Sequence, residues 1–225
     1  MKCSIIIPVY NNANFTKAAL NDLVLLGKTH EIIIVDNASE DHTADVVSKF
    51  NGVWYIKNDI NKGFSFANNQ GFEVAKGEYV LFLNNDIRVK NSFADWTDKL
   101  IEQCGDNCIV GTQTGILDGD YNFVKEGQFD PMQKGAYLSG WCMMAKRSVW
   151  DKLKIGGRGC WNEDFFLYFE DSDLSWRAKK NGIKLKIVDI PVQHFSRTTG
   201  RKYNMFSFFH KSSRVFKKIW KGKLI

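Results

Sequence analysis

Residues 79–88 read YVLFLNNDIR, and the rest of the chain is arranged around them. Tyr79, Val80, Leu81, Phe82 and Leu83 are apolar without alternation. That pattern suits a strand buried on both faces, as in a parallel sheet. The run stops at Asn84-Asn85-Asp86. In open α/β sheets, ligands bind outside the carboxyl ends of the strands. Asp86 therefore stands where a ligand or a hard metal ion would sit. A polar turn after a strand is the alternative.

Working outward, the same design repeats. Lys2–Val9 reads as a strand ended by Pro8 and followed by the turn Tyr10-Asn11-Asn12. Asn14–Leu26 has helical spacing with Asn14 as its N-cap. Glu31–Val35 is a second strand that ends in Asp36-Asn37-Ala38-Ser39. A short helix over 41–50, a weaker strand over 53–57 and a helix over 64–75 lead into the central strand. Strand and helix alternating at this spacing predict right-handed crossovers and a parallel sheet. The polar ends of three strands then share one edge, a crevice of nucleotide size. GxGxxG and GxxxxGK[ST] are both absent from the sequence, so neither a dinucleotide fingerprint nor a Walker loop is present.

Downstream, 92–103 reads as an amphipathic helix with Phe93, Trp96 and Leu100 inward, and 108–112 as a strand. The stretch 116–135 is polar and Gly-rich, irregular or a hairpin. Residues 137–146, YLSGWCMMAK, read as one apolar strand. A short helix over 148–153, a glycine loop at 156–159, a helix over 173–181 stopped by Gly182 and a strand over 183–188 complete the body.

Composition bounds the function. With 225 residues, 44% hydrophobic and 14% aromatic, the chain has enough apolar surface for a substantial core. Three prolines and 18 glycines argue against long disorder. No apolar run approaches the ~18 residues of a transmembrane helix, and Ile5–Ile7 is too short for a signal peptide. Five scattered cysteines fit free thiols in a reducing cytoplasm better than zinc. The net charge of +6 is uneven: residues 197–225 hold nine Lys/Arg and no Asp/Glu, while the other 196 residues carry 22 basic and 25 acidic side chains. A mildly acidic body with a basic tail bears on partners rather than on fold. No nucleic acid is expected among them.

Five segments, SIIIPVYNN, EIIIVDNAS, NKGFSFANNQGF, GEYVLFLNNDI and FFLYFEDSDLSWRAKKNG, lie in order across residues 4–182. Together they resemble a family-two glycosyltransferase of the nucleotide-diphospho-sugar (GT-A) fold, nearest to its rhamnosyl- and galactofuranosyl-transferase branch. The resemblance implies an α/β fold with a mixed, mostly parallel sheet flanked by helices. It implies a GT-A domain over 1–200. The residues of 201–225 themselves, with Phe206, Phe209, Val215, Phe216, Ile219 and Trp220 set among basic side chains, read as a C-terminal helix packed on that domain, or one lying on an anionic membrane surface.

The resemblance also assigns residues. The family's aspartate-x-aspartate motif becomes Asn84-Asn85-Asp86. Asn84 can still hydrogen-bond a ribose hydroxyl, and Asp86 supplies the anionic oxygen to Mn²⁺ or Mg²⁺, whose shell is filled mostly by phosphates and water. His194 takes the place of a histidine that completes the metal shell, a ligand suited to Mn²⁺; a structural histidine is the alternative. Arg197, Arg201 and Lys202 lie just beyond, where they would neutralise a diphosphate. Pro8, Tyr10 and Asn11 match the first nucleotide-facing loop. Asp36 stands where the family contacts the base, as acceptor for the imide N–H of uracil or thymine, or else as a turn-forming Asp. Lys62 and Asn69 match the segment near ribose and diphosphate, with a surface role for Asn69 as the alternative. In Glu170-Asp171-Ser172-Asp173 the match places the general base on Asp171, with Glu170 beside it; acids in a helix's first turn also offset its dipole. Trp141 is a platform for an acceptor sugar or a core residue. The family's Gly-Phe-Asp-Glu-x-Phe-Phe becomes Cys160-Trp161-Asn162-Glu163-Asp164-Phe165-Phe166.

The expected function is metal-dependent, inverting transfer of a sugar from a UDP- or dTDP-sugar to a hydroxyl of a glycan or lipid-linked acceptor. The expected location is the cytoplasm, with peripheral membrane contact through the tail. The rival is a non-catalytic module that binds sugar nucleotides or glycans. A nucleotidyltransferase is weaker still, because its Gly-rich, Lys-containing loop is missing after Val9.

Overall fold

A computed structural model describes residues 1–26, 29–90, 96–195 and 205–225. In chain order its first elements are β1 (Cys3–Val9), α1 (Ala13–Leu23) with a 3-10 turn at Val24–Leu26, β2 (His30–Asp36), α2 (Thr43–Val47), β3 (Val53–Lys57), α3 (Phe64–Val74) and β4 (Tyr79–Leu83). β5 (Ile87–Val89), α4 (Trp96–Gln103), β6 (Cys108–Gly111), β7 (Thr114–Leu117), β8 (Phe123–Gly127), β9 (Ala136–Leu138) and β10 (Cys142–Lys146) follow. The last are α5 (Arg147–Asp151), α6 (Glu170–Lys180), β11 (Lys184–Ile187), β12 (Val192–His194) and α7 (Met205–Trp220).

Seven strands form the central sheet in the order β11-β6-β10-β4-β1-β2-β3. β1 pairs parallel with both β2 and β4, and only β10 runs antiparallel to its neighbours. Side chains alternate across a strand. Ile5, Ile7, Leu81 and Leu83 therefore join the core on one face with Leu20, Trp96 and Leu100. Ile6, Val80 and Phe82 join the other with Phe72, Trp150 and Trp161. Unbroken apolar runs are what a two-sided core requires.

Several expectations are corrected. Helix α1 starts at Ala13 behind Asn12, which sits in a left-handed conformation at φ 63, so Asn14 is not the N-cap. The helix expected over 92–103 begins, among the described residues, at Trp96, and Phe93 lies outside them. Within 116–135 the hairpin alternative holds, since β7 and β8 pair antiparallel, and β9 adds a third strand that was not expected. The apolar run 137–146 is two strands, not one: β9 pairs with β7, β10 pairs with β4, and Ser139-Gly140-Trp141 carries the chain from one sheet to the other. Helix α6 starts at Glu170 rather than Asp173, which places the acids in its first turn. The short antiparallel pair β5–β12 was not foreseen; three-residue strands carry too little periodicity to read.

Helix α7 packs through Phe216 and Trp220 onto Trp176 of α6 and onto Phe165 and Phe169 of the preceding loop. Its outward residues Lys211, Arg214, Lys217 and Lys218 are exposed. Among the described residues, no helix is long and apolar enough to cross a membrane.

Candidate functional site

Parallel pairing of β1, β2 and β4 puts their carboxyl ends side by side, and a cleft of about 380 Å³ opens there. Pro8, Tyr10, Asn37, Asn84, Asn85 and Asp86 line it from the sheet edge, and Asn61, Gly63 and Phe64 from the start of α3. Phe166, Leu167 and Phe208 form an apolar wall. Gly63 has φ +92, and a Cβ there would sit 2.6 Å from the carbonyl oxygen of Phe166. Only glycine lets α3 come so close to the wall.

Register brings Asp86 and His194 together. β12 pairs antiparallel to β5, with His194 opposite Ile87. The Phe195 N–H donates to the Asp86 carbonyl at 2.8 Å. His194 Nε2 then lies 3.0 Å from Asp86 Oδ1 and 3.4 Å from Asn84 Nδ2. Asn84 Oδ1 is buried with no hydrogen-bond partner among the described residues. Two oxygen or nitrogen atoms bound at right angles to one small divalent ion, each at about 2.1 Å, lie about 3.0 Å apart. The Asp86–His194 pair thus fits adjacent positions on such an ion. Among the described residues no cluster of three or more His, Cys, Asp or Glu surrounds that point.

The indole of Trp141 lies flat on the imidazole of His194, with centroids 4.7 Å apart and planes 7° apart. Trp141 Nε1 donates to Gln113 Oε1 at 3.0 Å, and its carbonyl accepts the Asn84 N–H at 2.9 Å. Trp141 is buried. It holds His194 and the Asn84 turn in place, and the structure does not present it as an open sugar platform.

One residue earlier, the Gly140 N–H donates to Asp171 Oδ2 at 3.1 Å. Asp171 Oδ1 accepts the Ser172 N–H at 2.7 Å. Asp171 is half-buried in the first turn of α6. Burial pushes its carboxyl up to about 6, against the N–H groups of Gly140 and Ser172, which favour the anion. Glu170 is buried and raised well above the usual carboxylate range, by burial first and by the Asp171 charge second. Its Oε2 has no hydrogen-bond partner among the described residues. A neutral acid beside an anion is what those environments favour near neutral pH. Burial and the Asp171 charge also hold the Tyr137 hydroxyl protonated. Asp173 is buried against Arg177 Nε at 2.7 Å and accepts the Trp220 indole N–H at 3.0 Å, a structural role.

The remaining expected residues divide. Pro8, Tyr10, Asn84 and Asn85 reach the cleft. Asp36 is fully buried: its carboxylate accepts the Ser39 N–H at 2.7 Å and the Tyr55 hydroxyl. Its neighbour Asn37 faces the cleft instead, with Nδ2 donating to the Gly63 carbonyl and Oδ1 accepting from Asn58. Asn11 joins the loops, since its N–H donates to Ser39 Oγ and its Oδ1 accepts the Glu40 N–H. Lys62 is exposed with Nζ 4.5 Å over the Phe66 ring. Asn69 is buried and bonds the backbone of Trp161 on both sides, and also Glu163 Oε1. It clips the 161–163 loop to α3 and is not brought to the cleft. Arg197, Arg201 and Lys202 lie outside the described residues. Sequence reasoning gave no role to Asn37, Asn61, Phe166 or Phe208; the first three carried a signal, Asn37 as the second polar residue at the end of β2, and Asn61 and Phe166 as members of quoted segments, while Phe208 carried none.

Comparison with known proteins places this architecture. The description Glycosyl transferase family 2 matches residues 4–172. Among named relatives, a poly(ribitol-phosphate) beta-glucosyltransferase of Bacillus spizizenii is 37% identical over 94 residues, covering 38% of this chain and 15% of its own. Glycosyltransferase GlyA of Streptococcus pneumoniae is 23% identical over 218 residues, 81% of this chain and 31% of its own. The chain thus spans less than a third of either relative's length. Among solved structures, S. aureus TarS 1-349 in complex with UDP superposes at TM-score 0.64 with 19% identity, over 85% of this chain and 60% of that one. Mannosyltransferase PcManGT from Pyrobaculum calidifontis, in complex with GDP-Man and Mn2+, superposes at TM-score 0.71 with 16% identity, over 100% and 66%. At these identities the likeness is one of fold, and the fold is GT-A. With three quarters of its residues matched in order, the chain belongs to glycosyl transferase family 2.

Proposed function

We propose that this chain transfers a sugar, with inversion, from a UDP- or dTDP-sugar to a hydroxyl of a glycan or lipid-linked acceptor. One observation carries the reading. The segment Gly140-Trp141 holds a carboxylate poised near neutrality, Asp171, at one residue and the Asp86–His194 pair at the next. A base and a metal pair on one rigid connection beside a nucleotide-sized cleft suit single-displacement transfer.

In this reading Asp171 accepts the acceptor's hydroxyl proton as that oxygen attacks the anomeric carbon. The Gly140 and Ser172 N–H groups hold its oxygens in position. Glu170, kept neutral by burial, supports the pair without a second charge. Asp86 and His194 would hold a divalent ion, Mn²⁺ or Mg²⁺, which when bound neutralises the diphosphate leaving group. Pro8, Tyr10, Asn11, Asp36, Lys62, Asn69, Asn84 and Asn85 were the expected nucleotide contacts. The cleft supports Pro8, Tyr10, Asn84 and Asn85, and favours Asn37 over Asp36 as the acceptor for a pyrimidine imide. TarS in its UDP complex and a relative named as a UDP-Glc-dependent glucosyltransferase of Escherichia coli, WfaP, favour a uracil nucleotide. The five motifs favour the rhamnosyl- and galactofuranosyl-transferase branch. The exposed cationic face of α7 suits anionic lipid head groups near a membrane-borne acceptor.

Calorimetry with UDP plus Mn²⁺, together with product analysis from UDP- and dTDP-sugars, tests the reading. Asp86→Ala should abolish the metal-dependent part of UDP binding. Unchanged affinity would remove Asp86 from the metal site, and a product retaining the donor's anomeric configuration would contradict a single displacement. Binding without any turnover across the sugar panel would favour the non-catalytic module.

A further inference from the structure

We propose that helix α7 completes the nucleotide site, with Phe208 forming an aromatic wall against which the pyrimidine ring of a nucleoside diphosphate packs. This rests on reading the cleft as a sugar-nucleotide site, and it assigns a ligand contact to an element outside the family-matched residues 4–172.

A chain of contacts ties Phe208 to the side of the cleft formed by Pro8, Tyr10 and Asn37. Phe208 lines the same cleft as Pro8, Tyr10 and Asn37. Its ring lies flat on Phe166, with centroids 4.6 Å apart and planes 12° apart. The Phe166 carbonyl accepts the Phe64 N–H at 2.8 Å, and the adjoining Gly63 carbonyl accepts from Asn37 Nδ2 at 3.0 Å. Phe208 is only half-buried. A flat ligand ring over it would remove apolar surface from water and add base–aromatic stacking, which needs no polar partner on the base.

The wall is also braced. Tyr168 and Phe169 have φ 72 and φ 67, a conformation that is strained for aromatic residues and persists only where surroundings enforce it. Helix α7 does the enforcing. Ser212 Oγ donates to the Leu167 carbonyl at 2.7 Å, Phe209 packs on Tyr168 and Phe169, and Phe216 packs on Phe169. The helix that contributes Phe208 thereby keeps Phe166 beneath it, and a detached α7 would lose both halves of the wall.

The test is calorimetry with UDP and Mn²⁺ on the full chain, repeated with inorganic pyrophosphate and Mn²⁺. Phe208→Ala should weaken UDP about tenfold or more and leave pyrophosphate within twofold, because only UDP carries a base. Phe208→Tyr, which keeps the flat face, should stay within about threefold of wild type for UDP. If Phe208→Ala fails to fold, Phe208→Leu keeps apolar bulk and should still weaken UDP selectively. UDP affinity unchanged in a folded variant overturns the proposal, and so does an equal loss for UDP and pyrophosphate, which would mark a purely structural residue. Wild-type protein that binds neither UDP nor dTDP would sink the nucleotide reading itself and this inference with it, whereas tight wild-type binding with an indifferent Phe208→Ala sinks the inference alone.

Discussion

In the proposed reading, Asp171 is the residue on which the chemistry turns. Asp171→Asn retains size and one acceptor oxygen for the Gly140 and Ser172 N–H groups, but it cannot take a proton. Transfer should fall by ~10² or more while UDP affinity stays near wild type; a folded variant that turns over at the wild-type rate would move the base to Glu170. The raised carboxyl also sets a pH dependence. The base works only when ionised, so turnover should rise through pH about 6 and level off above it. Stability runs the other way. The folded chain keeps the Asp171 proton that the unfolded chain, with an ordinary carboxyl near 3.8, has already released. Stability therefore drops as pH rises from about 4 to about 6, and melting curves of Asp171→Asn should lose that part of the slope. Glu170 tests the split of roles. If it stays neutral while Asp171 titrates, Glu170→Gln should leave the acid limb of the rate profile near 6. A limb displaced well toward acid would mean that Glu170 carries charge in the working enzyme.

At the scale of elements, the site depends on joints rather than on strands and helices themselves. The break between β9 and β10 exposes the Gly140 N–H to Asp171 and lays Trp141 on His194. A continuous strand would have spent that N–H on a neighbour. Asn69 is a second joint: three bonds of 2.9–3.0 Å lock Trp161 and Glu163 to α3. Asn69→Ala leaves the buried Trp161 N–H and carbonyl without these partners, which costs on the order of 1–3 kcal/mol for an unsatisfied group. Thermal melts should register that loss, with UDP affinity per folded molecule changing little. A large loss of affinity at unchanged stability would instead return Asn69 to the nucleotide contacts.

Across the whole molecule, the body and α7 act as one unit. The acid-free tail invites truncation as a test of membrane contact, but the structure shows why that is a poor choice. Trp220 is buried, its indole bonds Asp173, and its carbonyl accepts the Tyr121 hydroxyl. Removing residues 217–225 would open the core. Reversing charge at the exposed Lys217 and Lys218 spares those contacts. The double variant Lys217→Glu, Lys218→Glu should lose binding to anionic liposomes at low salt while its melting temperature and UDP affinity hold. Wild-type protein that ignores such liposomes would dismiss the membrane role.

How much of this was legible follows from how each signal arises. Apolar runs bounded by polar turns depend on neighbours in the chain, so 2–9, 31–35 and 79–83 announced a parallel α/β sheet and its polar edge directly. The same locality placed Asp86, Asn84 and Tyr10 at the cleft, because the end of a buried strand in such a sheet is a fixed place. Asp36 and Asn37 mark the limit: alternation puts one residue inward and the next toward the cleft, and only the packing of Tyr55 and Ser39 decides which. The 137–146 run looked like one strand because apolar composition is the same whether a chain stays in one sheet or changes sheets. Phe208 could not be read at all, since its partner Phe166 lies 42 residues away, and no local pattern distinguishes an aromatic that fills a core from one that walls a cleft. Sequence by itself determined the layers and the edge where chemistry is placed, because periodicity is local. Tertiary structure alone decided which side chains of that edge face the cleft and which brace its walls, because contacts between distant segments decide it.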